Sequence, residues 1–375
     1  MKRLLCGFGV PLVVVSVVVV LSTSRISAME SQSSNDLPVD DFISEHLFSF
    51  ASLNEDTKDI PLVDIGLRQK KPVWDFNVGA AILTRGTLDG SPIITGLRSG
   101  SVREDILNGS DFRFNHSAGP DISATRRLSK DRYFDSLNLR FFDVQSVSAN
   151  ESLQFIRQPE YLGYQFPTYE TILFDNTNDF EPQNASYATS LYSFEANVTK
   201  QVGNSQLQWL TGFRWIQVSD SLTVNAIGPI TQERNQWRAN NSLYGWQFGA
   251  IVPATFLNQR LNLSIAPKIG IYGNQCNTNW DAISRGTTSA LRNYRNQVAF
   301  AGDLSAIARY SLSQRWSILC GYQLLWLNGV GVAGDQPETT GYFRPQTNPP
   351  ETISGLNTSG SAFFHGALVG ANFVW

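Results

Sequence analysis

The stretch SAFFHGALVGANFVW, Ser361 to Trp375, reads as one amphipathic β-strand that stops on an aromatic residue. Phe363, Ala367, Val369, Ala371, Phe373 and Trp375 share one face, and Gly366, Gly370 and Asn372 share the other, the period-two alternation of a strand. An aromatic last residue on such a strand suggests a bacterial outer-membrane barrel. The competing reading is the edge strand of a soluble sandwich, because one barrel strand carries a weak signal by itself.

The opposite end constrains the choice. Lys2 and Arg3 precede an apolar run from Val10 to Leu21, and a small-residue stretch ends at Ala28. This is the layout of a secretory signal peptide over residues 1–28. The run is shorter than the roughly 20 apolar residues of a membrane-crossing helix. Cys6 precedes the run, so a lipoprotein cleavage site is disfavoured, and only Cys276 and Cys320 remain to the mature chain. Two cysteines are too few for a disulfide framework, although one bridge stays open.

Composition excludes more than it selects. Charged residues make up 16% and aromatics 12%, with 29 glycines, a profile of many turns and low charge that soluble all-β proteins and barrels share. Loss of Lys2, Arg3 and Arg25 with the signal moves the formal charge from -3 to -6, which argues against nucleic-acid binding. Residues 29–71 are acidic and polar; Phe42 to Leu53 fits a short amphipathic helix or a solvated tail equally well.

From residue 72 to 375 the texture becomes strand-like, and ten strands are expected. They are Trp74 to Arg85, Ala118 to Leu128, Arg132 to Val147, Ala188 to Gln201, Ser205 to Ser219, Asn241 to Pro253, Arg260 to Gly273, Asn296 to Tyr310, Gln314 to Leu327 and Ser361 to Trp375. Asp111 to Asn115 and Thr168 to Asp175 are apolar pieces that would raise the count to twelve. Connections alternate strictly: short at 129–131, 202–204, 254–259 and 311–313, long at 86–117, 148–187, 220–240, 274–295 and 328–360. Short periplasmic turns and long outer loops are the rule of outer-membrane barrels, and a sandwich has no reason to sort its loops. The expected fold is therefore an all-β, closed antiparallel transmembrane barrel, since strands cross lipid only where no edge is left unpaired.

Several phrases carry a resemblance. They are Gly-Phe-Arg-Trp at 212–215, Asn-Ser-Leu-Tyr-Gly-Trp-Gln-Phe-Gly-Ala at 241–250 and Lys-Ile-Gly-Ile-Tyr at 268–272. Gly-Tyr-Gln-Leu-Leu-Trp-Leu-Asn-Gly-Val at 321–330, with Gln336 after it, and Phe-His-Gly-Ala-Leu-Val-Gly at 364–370 are the most specific. Through them the chain resembles the beta-barrel porin-7 family of planctomycete-type outer-membrane proteins; the amino-terminal half matches loosely, over Phe76 to Arg85 and Gly119 to Phe142. The resemblance implies an outer-membrane barrel and assigns no catalytic residue.

If the aromatic faces meet lipid, Trp74, Tyr192, Trp209, Trp215, Tyr310, Trp316, Trp326 and Trp375 form interfacial girdles. The other faces then bring Arg140, Glu195, Arg214, Gln247, Lys268, Asp303, Arg309 and Gln323 into the lumen. A ten-strand bore is narrow. These side chains are expected to form a hydrogen-bonded plug around pairs such as Glu195 with Arg214, because an unpaired buried charge is costly. A porin with a narrow passive pore is one reading, and a surface interaction protein anchored by its barrel is the other.

Enzyme chemistry has little to work with. The three histidines are His46, His116 and His365, and a hydrolytic pairing of His365 with Asp335 or Glu338 is the one arrangement to test. Asp175, Asn178, Asp179 and Glu181 lack the spacing of a calcium loop, and no cofactor motif occurs. The partners expected are outer-membrane lipid and the barrel-assembly machinery, which would read the C-terminal aromatic strand; oligomeric state is not legible.

Overall fold

The computed structural model describes residues 73–88, 90, 92–98, 102–129, 132–152, 161–164, 181–227, 232–256, 260–284, 287–337 and 357–375. Residues 1–72, Thr168 to Asp175, His46 and Glu338 therefore lie outside the described residues. Thirteen strands occur among those described: β1 (Trp74–Arg85), β2 (Pro92–Arg98), β3 (Val102–Asn108), β4 (Ser117–Arg127), β5 (Ser136–Ser152), β6 (Tyr161–Tyr164), β7 (Glu181–Gln201), β8 (Gln208–Ile227), β9 (Gln232–Phe256), β10 (Leu261–Ser284), β11 (Thr287–Ser311), β12 (Trp316–Val330) and β13 (Gly360–Val374).

Ten of them close into one antiparallel barrel in the order β1-β13-β12-β11-β10-β9-β8-β7-β5-β4. β13 pairs with β1 from Asp75↔Val374 to Arg85↔Phe364 and with β12 from Trp316↔Phe373 upward, so both its edges are hydrogen-bonded. The other three strands form a small separate sheet, β3-β2-β6, built from the connections after β1 and β5.

Two expected long loops are strands instead. β8 runs on to Ile227 and β9 begins at Gln232, while β10 runs to Ser284 and β11 begins at Thr287. Strands of up to 25 residues result. At about 3.3 Å per residue and a tilt near 40°, 25 residues climb roughly 60 Å, about twice what an apolar band needs. Asp111 to Asn115 is no strand extension: a 3-10 turn covers Gly109–Asp111, and Phe112 and Phe114 turn inward to stack edge-on against Tyr187.

The barrel thus has two ends, a turn end where both described termini and the short connections lie, and a crown end where the strands overrun. Between them the outward face changes character at one register. On β9, β10 and β11, the outward residues from the turn end to Tyr244, Gly273 and Val298 include Val252, Phe248, Trp246, Ile265, Ile269, Ile271, Leu304 and Phe300, and none is polar apart from tyrosine. Ile269 is 71% exposed. Beyond that register the same faces carry Ser242, Gln275 and Asn296, then Asn240, Asn277 and Tyr294.

The inward face inverts in step. Near the turn end its polar side chains gather, Asn77, Asp121, Ser123, Asn138, Glu195, Asn197, Lys268 and Arg309, among apolar ones such as Leu210, Ile251 and Leu319. Towards the crown it holds Leu83, Phe142, Val144, Leu191, Ile216, Val218, Leu222, Trp237, Leu243, Leu325, Leu327 and Phe364 in one buried cluster. Lipid outside and water inside shape the first half. Water outside and a dry core shape the second.

Candidate functional site

Eight strands contribute to the centre of the lumen, and the side chains meet there because inward positions recur every second residue on each. Arg214 on β8 donates to Asp303 on β11 at 2.9 Å and to Ser193 at 3.0 Å, and lies 3.6 Å from Glu195. Lys268 on β10 donates to both Glu195 oxygens at 2.9 and 3.0 Å and stands 3.6 Å from Asp303. Gln247 on β9 donates to Glu195 at 2.9 Å and to Asn197 at 2.8 Å. Across the bore, Gln323 on β12 donates to Asp303 at 2.8 Å and accepts from Arg140 at 2.9 Å. Arg140 on β5 closes the ring with a two-pronged contact to Asp121 on β4, both bonds 2.9 Å.

Three cations and three carboxylates therefore neutralise one another in the bore. Arg214 and Glu195 are each 1% exposed, so neither could remain charged there without its partners. Tyr272 roofs the layer: its ring lies over Gly270, where an added Cβ would come within 2.6 Å of it, so only glycine fits beneath. Its hydroxyl approaches Gln247 at 3.5 Å.

The eight residues expected in the lumen all face inward. Glu195 and Arg214 stand opposite each other in register. Seven of the eight belong to the charge layer; Arg309 sits lower, 3.5 Å from Asp75 and 3.4 Å from Asn77. Asp121, Ser193, Asn197 and Tyr272 complete the layer without having been singled out from the sequence. The first three lie on strands whose inward phase was already readable; Tyr272 was grouped only by the phrase it ends.

Below the layer, towards the turn end, is a vestibule of about 630 Å³ whose walls mix Asp75, Ser123, Asn138 and Arg309 with Leu210, Ile251 and Leu319. Above it the bore is filled twice over. Leu325, Leu327, Leu243, Ile216 and Phe142 pack across it. Then the segment after β12 folds inward: a 3-10 turn at Ala333–Asp335 is set into the barrel mouth. Asn241 clamps its start, donating to the Gly331 carbonyl at 2.7 Å and accepting from the Gly331 amide at 2.8 Å. Gln336 donates to the Val332 and Asn357 carbonyls, both at 2.9 Å.

A second charge centre lies in this upper core. Asp220 accepts from Arg85 at 2.5 Å, from Thr189 at 2.5 Å and from Tyr187 at 2.9 Å. The Arg85 guanidinium is held among the rings of Tyr187, Phe114 and Phe364.

Of the aromatic residues expected in girdles, Trp74, Trp209, Tyr310, Trp316 and Trp375 lie at the turn end, while Tyr192, Trp215 and Trp326 face outward higher up. Trp74 stacks on Phe76, and Trp209 meets Phe134. Trp246, 52% exposed, belongs to the same outward belt and was not named from the sequence.

His365 faces outward on β13 and shares a 2.6 Å hydrogen bond with Tyr322. Asp335 is on the infolded turn, on the other side of the wall, so the two do not meet. His116 is exposed. Cys276 points inward and Cys320 outward, and both are free thiols.

A closed ten-strand barrel with an apolar outer belt and a charged bore defines a transmembrane β-barrel. No protein-family model matches the chain, and no curated protein matches it. Among solved structures, the outer membrane protease OmpT from Escherichia coli is similar at 9% identity and a TM-score of 0.48, over 81% of this chain and 97% of that one. A FadL homologue from Pseudomonas aeruginosa aligns at 9% identity and a TM-score of 0.28, over 81% and 90%. An anion-selective porin from Comamonas acidovorans aligns at 8% identity and 0.15, over 82% and 100%. Likenesses this distant carry nothing about activity.

Proposed function

We propose that the chain is an outer-membrane barrel whose bore is sealed, and that it serves as an anchor raising a β-structured crown above the bacterial surface. The sealing carries the reading. A charge layer bonded across the bore, an apolar core above it and the infolded turn at Ala333–Asp335 stand in series along the bore among the described residues. Passive diffusion needs a wet path, and ten strands leave little room for one beside side chains.

Location follows from the same geometry in this reading. The short turns and the described termini face the periplasm, and the overrunning strands face outward. Residues 1–28 act as the export signal, and the aromatic end of β13 is what the assembly machinery reads. We read the chain as akin to the beta-barrel porin-7 family on the phrases quoted above alone; they fall mainly on β8, β9, β10, β12 and β13.

Planar-bilayer recording of the purified, folded protein tests the sealed bore. The expected result is no unit conductance above the bare bilayer, and a reproducible open level would overturn the anchor reading in favour of a porin. Density-gradient separation of inner and outer membranes tests the location independently.

A further inference from the structure

The crown's outward wall has a surface that anchoring alone does not call for. On β8, β9, β10 and β11 the cross-strand rows beyond the apolar edge read Gln217-Ser242-Gln275-Asn296, then Ser219-Asn240-Asn277-Tyr294, then Ser221-Arg238-Asn279-Arg292. Below them lie Trp215-Tyr244-Gly273-Val298 and Phe213-Trp246-Ile271-Phe300. Arg238 and Arg292 thus flank Asn279 on one row. Both arginines are exposed, as are Gln275, Asn277, Tyr294 and Asn296. Arg238 donates to Gln236 at 2.7 Å and stands 3.6 Å from Asp281, a carboxylate set among Arg234, Arg238 and Arg292.

Height decides what can reach this surface from the side. Six residues separate Tyr244 from Arg238, which at the strand rise and tilt of a barrel is roughly 15 Å along the axis. The rows are continuous with the lipid-facing belt, so whatever stands beside them is the polar part of the same outer leaflet. Amides and hydroxyls in flat array suit sugar hydroxyls, and guanidinium groups suit phosphate through paired charge-assisted bonds. Among the described side chains of these rows three arginines stand against one carboxylate, a balance that favours an anion.

We propose that the outward wall of β8 to β11 is a docking surface for the phosphorylated saccharide headgroup of an outer-leaflet glycolipid, with Arg238 and Arg292 taking phosphate and the amide rows taking sugar. The inference rests on the outer-membrane, crown-outward reading above, but not on the bore being sealed.

Native mass spectrometry of the detergent-solubilised full barrel tests it, with three probes: a phosphorylated lipid A-core glycolipid, its dephosphorylated form, and phosphatidylglycerol. The wild type should retain the first about tenfold or more over the other two, and Arg238→Gln with Arg292→Gln should lower that retention to the dephosphorylated level. Equal retention of all three probes, or unchanged retention by the double variant, would overturn the proposal. Free phosphorylated core oligosaccharide that binds while the glycolipid does not would also overturn it. Both arginines are exposed, and heat-modifiable migration on gels shows that the variant is folded; Arg238→Lys with Arg292→Lys, retaining charge without the fork, should lie between the two. A barrel absent from the outer-membrane fraction would instead refute the location, so the two failures are distinguishable.

Discussion

The two halves of the barrel share strands and differ in every other respect. Along β10, Ile265, Ile269 and Ile271 point outward below Gly273, with Lys268 inward; above it Gln275, Asn277 and Asn279 point outward, with Cys276 and Trp280 inward. Neither the hydrogen bonding nor the pleat changes at that point, for the register with β9 and β11 runs through it unbroken. What changes is the solvent on each side. The pattern teaches that a β-wall is indifferent to which face is apolar, and that its sequence records the surroundings level by level.

Breaking the lower half at its charge layer should give the largest effect. Glu195→Ala removes the carboxylate that holds Lys268 and lies beside Arg214, leaving buried cations short of a partner. The expected loss is about 3–5 kcal/mol of stability, read by urea unfolding of the vesicle-inserted protein. A smaller loss would mean that water reaches the layer and that the bore is not sealed there. In the upper half the matching change is Leu327→Ala, which opens a cavity in the dry core and should cost about 2–5 kcal/mol. Were the crown interior wet, that cost would fall well below the range.

The sharpest contrast uses one face of one strand. Ile269→Arg sets a charge in the apolar belt and should cost about 2–4 kcal/mol, whereas Asn277→Arg, eight residues on and pointing the same way, should stay within about 0.5 kcal/mol. Equal costs would place the edge of the lipid somewhere other than at Tyr244, Gly273 and Val298.

That edge is also where the sequence stopped being readable as strand. Trp74 to Arg85 was legible end to end because its outward face, Trp74, Phe76, Val78, Ala80 and Ile82, stays apolar almost throughout, although its inner face passes from Asp75 and Asn77 to Ala81 and Leu83. β8 was legible only as far as Ser219. After it Asp220, Leu222 and Val224 turn inward and Ser221 and Thr223 outward, the reverse of Trp209, Phe213 and Trp215 against Arg214. A reading keyed to outward aromatics takes the inverted stretch for loop. The charge layer was legible by phase, and Glu195 opposite Arg214 by adjacency. Its sharing with Lys268, Asp303 and Gln323 arises from closure, which brings β7, β10, β11 and β12 across a bore and leaves no trace in local spacing. The infolded turn was opaque for a simpler reason: Gly329, Gly331 and Gly334 read as any flexible connection.

The smallest effect bears on that turn, where the upper half is least secured. Among the described residues Asn241 is the side chain that both donates to and accepts from Gly331, so Asn241→Ala should cost about 1–3 kcal/mol, chiefly by stranding the Gly331 carbonyl. The consequence is local, because the charge layer lies several residues below on every strand. Cys276 reports it. An added Cβ on Gly331 would come 2.5 Å from its sulfur, so the turn lies directly over the thiol. With Cys320→Ser removing the outward thiol, a water-soluble maleimide should label Cys276 slowly in the parent and markedly faster in Asn241→Ala, while conductance stays at baseline because the layer around Glu195 still seals the bore. Faster labelling together with a new conductance would mean that the turn alone closes the barrel, and that the lower half is a lined channel.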